Sequence, residues 1–133
     1  MSNTYNIGDI FWFDLNGVGN VQNGWHPGII VQNNTGNKYS PTMAVVPITS
    51  KTKTSLPTHV FIKRGGSCGL PKDSIAQCEG QQLVCKADQV GGYIGKADEK
   101  IMRKIAKGCL INTPYVAYLD DSDIDEIKNR AAI

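Results

Sequence analysis

The sequence predicts a small β-barrel with helical additions. Three observations carry that reading. The first 86 residues hold short runs of branched and aromatic residues, broken by Gly, Asn and Pro. From residue 97 the apolar period changes to about four, as on one face of a helix. The chain has 133 residues, which suits one hydrophobic core without disulfides or metal.

The elements follow in order. GDIFWFDL (8–15) is a strand with apolar residues on both alternating faces, so it belongs between two buried layers or at a barrel seam. NGVGNVQNGWHPG (16–28) is crowded with Gly and Asn and reads as a long loop, a length that often serves function. IIVQNN (29–34) is a second strand, TGNKYSP (35–41) a turn or loop, and TMAVVPITS (42–50) a third strand. Pro47 lacks an N–H and must fall at a bulge or an edge. KTKTSLP (51–57) is a basic loop. THVFIK (58–63) alternates, with Val60 and Ile62 on one face and His59 and Phe61 on the other. RGGSCGLPKD (64–73) is a glycine-rich connection. SIAQCEGQQLVCK (74–86) is a strand pair or one strand bent at Gly80.

In ADEKIMRKIAKGCL (97–110), Ile101, Ile105 and Cys109 recur every four residues, with Met102 and Ala106 beside them. Asp98 is the expected N-cap. SDIDEIKNRAA (122–132) is a second helix, with Ser122 as its cap, acidic residues in its first turn and basic ones in its last. Its apolar face is small, so it needs a docking partner to persist. Residues 1–111 are expected to form the barrel with its helix, and 112–133 a helical extension. That extension reads as a surface helix on the barrel, a contact to a second chain, or a cover for a site on the barrel.

Composition limits the function. Apolar residues are 41% and charged residues 20%, an ordinary globular balance. A net charge of +2 is too weak to indicate nucleic acid without clustering. The N-terminal MSNTYNIGDI has neither the charged nor the apolar region of a secretory signal, and no apolar run approaches the roughly 20 residues of a membrane span. A cytoplasmic protein with no membrane contact is the expectation. Cys68, Cys78, Cys85 and Cys109 contain no C-x-x-C spacing, so they read as free thiols and not as a zinc site. No nucleophile elbow or phosphate-binding loop is present.

In a small barrel, strand ends and their loops gather at the rims. Trp25, His26, Thr49, Ser50, Lys51 and Lys53 can therefore meet. These are the parts of an RNA phosphate site. Lysines hold the backbone, an indole stacks on a base, an imidazole moves a proton near neutral pH, and hydroxyls bond phosphate oxygens. Residue types alone leave other readings open: His26 as a turn histidine fixed by Pro27, Trp25 as a core or rim aromatic, the lysines as a solvated loop. His59, on a strand with Phe61, reads as structural.

GDIFWFDL, HPGIIVQNN, VVPITSK, LPTHVFI, GLPKDSIAQCE and the DEKIMRKI helix, in that order over about residues 5 to 111, strongly resemble the MazF/PemK (Kid) toxins. The resemblance implies an SH3-like barrel, a homodimer and a metal-independent endoribonuclease that needs no cofactor. The substrate would be single-stranded mRNA, cut with a sequence preference to leave a 2′,3′-cyclic phosphate and a 5′-OH. It also implies a cognate antitoxin whose acidic tail covers the RNA site, with DNA contacted only through the antitoxin complex. His26 and Thr49 would be catalytic. Trp25, Ser50, Lys51, Lys53, Ser74, Glu79 and Gln81 would line the RNA groove.

The chain departs from the family pattern. His26 stands where an arginine usually precedes the proline. Val21-Gln22 replaces an acidic-Gln pair. In EGQQ, Glu79 is kept, Gly80 replaces glutamine and Gln82 replaces arginine. Two outcomes are open. His26 acts in place of the arginine, as general acid or as an imidazolium on phosphate, in a slower enzyme or one with a lower pH optimum. Alternatively, the barrel binds RNA, an antitoxin or another protein without cutting, as the related CcdB toxins bind DNA gyrase.

Overall fold

The computed structural model describes residues 4–17, 23–50 and 55–131. Among them, seven strands form one antiparallel sheet: β1 (Asp9–Leu15), β2 (Gly24–Ile30), β3 (Thr42–Thr49), β4 (His59–Ile62), β5 (Ser74–Gln77), β6 (Gln82–Cys85) and β7 (Val90–Lys96). Three helices accompany them: α1 (Asn34–Tyr39), α2 (Glu99–Asn112) and α3 (Asp121–Arg130). The strand order is β4-β5-β3-β2-β1-β7, with β6 also on β3. Among the described residues the end strands β4 and β7 do not pair, so the sheet is barrel-like but not closed.

β3 organises the sheet. Thr42–Val45 pair with β6, and Ile48 and Thr49 pair with β5. Residues 74–86 are thus two strands that share β3 and do not pair with each other. Pro47 falls in the gap between β6 and β5. It is also the last residue of β3 paired with β2, opposite Gly28. A residue without an N–H is tolerated where a ladder stops.

Side chains alternate along the central strands into two cores. Ile10, Ile29, Val46 and Ile48 pack with Val60, Ile62, Ala76 and Ile105. Phe11, Phe13, Ile30, Met43, Val45 and Val84 pack on the other face. This accounts for the apolar character of β1 on both faces. Each fully buried side chain of this size contributes roughly 1.5–3 kcal/mol, so β1–β3 form a rigid frame.

β2 starts five residues earlier than the sequence suggests, which moves His26 and Pro27 from the loop into the strand. α1 replaces part of the expected loop at 35–41. Asn33 caps it by accepting from the Gly36 amide at 2.9 Å, and the buried Asn37 amide donates to the Gln32 carbonyl at 2.8 Å. Local polar bonds, with no apolar period, make this helix. β7 was not foreseen, because Gly91, Gly92 and Gly95 weaken its strand signal. Gly95 and Gly69 allow β7 to touch the 64–73 connection. A Cβ on Gly95 would lie 2.3 Å from the Cys68 carbonyl oxygen, and one on Gly69 would lie 2.4 Å from that of Ile94.

Asp98 caps α2, accepting from the Ile101 amide at 2.8 Å, and Ile105 is buried beneath the helix. The Cys78 thiol, raised by a hydrogen bond with Cys109 and by burial, is a core group. α3 is capped by Asp120 instead of Ser122. Asp120 and Asp123 form a reciprocal capping box, and the Ser122 hydroxyl donates to Asp120. No described residue of α3 is buried, and it packs extensively on no other element, so it is not a helix docked on the sheet. Among the described residues no helix is long and apolar enough to cross a membrane.

Candidate functional site

Where the β2–β3 ladder ends at Gly28–Pro47, the chain leaves a cleft of about 290 Å³. Continuing the register two steps brings His26 level with Thr49. His26 and Pro27 line the cleft from β2, Ile48 and Thr49 from β3, and Ser50 from just beyond its end. Trp12, opposite Pro27 in the β1–β2 ladder, supplies an aromatic wall. Leu70, Pro71, Lys72 and Ser74 close the remaining side. Leu70 is buried and bridged to Gly65, and the Ser74 hydroxyl donates to the Lys72 carbonyl at 2.7 Å, which holds this wall in place.

The partner of His26 fixes its chemistry. Nε2 lies 2.9 Å from the Asn23 carbonyl oxygen. A carbonyl only accepts, so Nε2 carries a proton and donates it there. Nδ1 is the atom left to give or take a proton. Thr49 is buried, whereas Ser50 is exposed at the end of β3.

The structure thus gathers His26, Thr49, Ser50 and Ser74 in one cleft. Trp25 stands outside the lining, 52% exposed, on β2 beside it. Its ring lies over Gly91, where a Cβ would be 3.1 Å from Trp25 Cζ3 and 3.0 Å from Trp12 Cβ. The two tryptophans therefore flank one glycine of β7. Val21, Gln22, Lys51 and Lys53 lie outside the described residues. Trp12, Leu70, Pro71 and Lys72 were not singled out in the sequence. Trp12 was hidden in a strand that reads as apolar throughout: it shares the face of the buried Ile10, yet it is exposed where that face opens into the cleft.

Glu79 and Gln81 do not line the cleft. Glu79 accepts from Thr58 Oγ1 and His59 Nε2, both at 2.8 Å, and so ties the start of β4 to the turn between β5 and β6. Burial raises the Glu79 carboxyl. Hydrogen bonds from its own backbone, Thr58 and His59 outweigh burial and hold it below its usual range. A folded-state pKa that is lowered contributes stability above the unfolded value, here near 4.5, and loses it as pH falls. Urea midpoints of Glu79→Gln are therefore expected to fall below wild type at neutral pH and to converge with it below about pH 4.5. A gap of constant size down to pH 3 would contradict this role.

The model of the PemK-like, MazF-like toxins of type II toxin–antitoxin systems matches residues 6–112. The chain belongs to this family. A curated relative, the endoribonuclease MazF of Staphylococcus saprophyticus, is 46% identical over 74 residues, 54% of this chain and 61% of that one. The match thus spans less than two thirds of that relative's length. An endoribonuclease from a mycobacterial species, solved in complex with its cognate antitoxin, superposes with a TM-score of 0.67 at 25% identity. It covers 83% of this chain and 95% of its own. MazF from Deinococcus radiodurans shares the fold, with a TM-score of 0.73 at 14% identity over 85% of this chain and 99% of its own. The cleft lies inside the matched region, and the extension from 113 onward lies outside it.

Proposed function

We propose that this protein is a MazF-like endoribonuclease toxin of the cytoplasm. It cleaves single-stranded mRNA with a sequence preference, without metal, and a cognate antitoxin neutralises it. The observation that carries this reading is the end of the β2–β3 ladder, which sets His26 and Thr49 in one cleft in a chain of the toxin family. Such chemistry uses the ribose 2′-oxygen as nucleophile. The 2′-oxygen attacks phosphorus and loses its proton to water. The bond to the 5′-oxygen breaks, and His26, as imidazolium, gives that oxygen a proton from Nδ1. Thr49 and Ser50 hold phosphate oxygens by their hydroxyls. The products carry a 2′,3′-cyclic phosphate and a 5′-OH. Barrel residues 1–111 hold this site in a homodimer, and 112–133 are an extension outside it.

Mixed-sequence RNA incubated with the purified protein is expected to be cut with or without EDTA. No cleavage of any RNA, with tight binding of it or of a protein partner, would instead favour a non-cutting binding module. Trp25 supplies a stacking surface at the edge of the cleft. Trp25→Ala is expected to weaken RNA binding by about 1–3 kcal/mol, the worth of one stacked base, in a fluorescence titration. Unchanged affinity would remove Trp25 from the RNA path.

A further inference from the structure

We propose that Lys72 is the phosphate-binding cation of this site, supplying the fixed positive charge that His26 cannot. This rests on the ribonuclease reading above. Five described side chains of the cleft are polar: His26, Thr49, Ser50, Lys72 and Ser74. Among these described residues only Lys72 is an ammonium cation, and no described carboxylate lines the space to neutralise it. The described ion pairs are His59–Glu79, Lys96–Asp9 and Arg130–Glu126, so Lys72 belongs to none of them. The neighbouring carboxylate is engaged elsewhere: Asp73 Oδ1 accepts from the Arg64 amide at 2.9 Å.

The backbone under Lys72 is built for position. Pro71 restricts the chain before it, Leu70 is buried, and the Lys72 carbonyl is bonded to the Ser74 hydroxyl. Gly69 and Gly95 let this wall sit directly on β7. A flexible ammonium therefore stands on a rigid base at the mouth of the cleft. Attack of the 2′-oxygen makes phosphorus five-coordinate and concentrates charge on its non-bridging oxygens. A cation already in place stabilises that charge as it develops. His26 gives a proton to the leaving oxygen and becomes neutral in doing so, whereas Lys72 keeps its charge throughout.

Two readouts test this. The first is binding of a 2′-O-methyl RNA, which cannot be cut, measured across a salt series. Lys72→Gln is expected to reduce the log K against log salt slope by about 0.7, one phosphate contact on a single strand. Lys72→Arg should keep the wild-type slope. The second is cleavage of mixed-sequence RNA under saturating enzyme. Lys72→Gln should be slower by about 10²-fold and Lys72→Arg should recover most of that rate. Lys104→Gln on α2, outside the cleft, should leave both readouts unchanged. An unchanged slope in Lys72→Gln overturns the proposal. Normal cleavage by that variant overturns it too. A wild type that cuts no RNA overturns the ribonuclease reading instead, and the slope still decides whether Lys72 holds phosphate.

Discussion

His26→Ala is expected to lower RNA cleavage by about 10²- to 10⁴-fold, the usual contribution of a positioned general acid. The size follows from what the cleft offers. His26 is its one imidazole, and the Asn23 carbonyl commits Nε2, which leaves Nδ1 for the leaving oxygen. His26→Arg is informative in a different way. A guanidinium holds phosphate but does not give up a proton in the working range, whereas an imidazolium does. An RNA with sulfur in place of the 5′-oxygen at the cut has a leaving group that needs no proton, so His26→Arg should cut it at close to the wild-type rate while cutting ordinary RNA far more slowly. An equal loss on both substrates would remove the proton-donor role. Full activity in His26→Ala would remove His26 from the chemistry altogether.

The largest expected stability change lies away from the reacting atoms. Gly95→Ala should destabilise the fold by about 3 kcal/mol, the upper end of overpacking. The new methyl would meet backbone atoms, 2.3 Å from the Cys68 carbonyl oxygen and 2.5 Å from that of Ser67. Backbone cannot turn aside as a side chain can. Relief requires the 64–73 connection to lift from β7, and that connection carries Leu70, Pro71 and Lys72 into the cleft. Cleavage should therefore fall as well, even under conditions where the variant is folded. Gly92→Ala is the control, since nothing lies within 4 Å of a Cβ there. Equal urea midpoints for the two variants would contradict the close approach seen at Gly95.

Much of this was legible in the residues. The strands β1, β3 and β4, helix α2 and the Asp98 cap follow from alternation, helical period and capping chemistry, which are local and strong. The elements that were missed have other causes. α1 forms through Asn33, Asn37 and Gln32 with no apolar face to announce it. Of the three glycines of β7, Gly91 and Gly95 sit where other groups press on the backbone, and all three weaken the strand signal. The early start of β2 depends on pairing with β1, as in Phe13 opposite His26, and that is a tertiary fact.

The site was legible in part for the same reason. HPGIIVQNN and VVPITSK carry part of the resemblance, and the cleft unites His26, Thr49 and Ser50. Trp12 and Lys72 enter only because β1 and the 64–73 connection come alongside in space. Glu79 illustrates the converse. It is the residue of EGQQ kept from the family pattern, yet its carboxylate is engaged by Thr58 and His59 outside the cleft lining. In the extension, an acidic first turn and a capping box stabilise α3 locally.

The most direct test of the account is the chemistry of the cut ends. A cleavage site is mapped on mixed-sequence RNA in EDTA. An oligonucleotide spanning it is then compared with one carrying a single 2′-deoxy sugar at the cut. The account predicts a 2′,3′-cyclic phosphate and a 5′-OH from the all-ribose strand and no cleavage of the deoxy strand. A 5′-phosphate product, or cleavage of the deoxy strand at an undiminished rate, would contradict it.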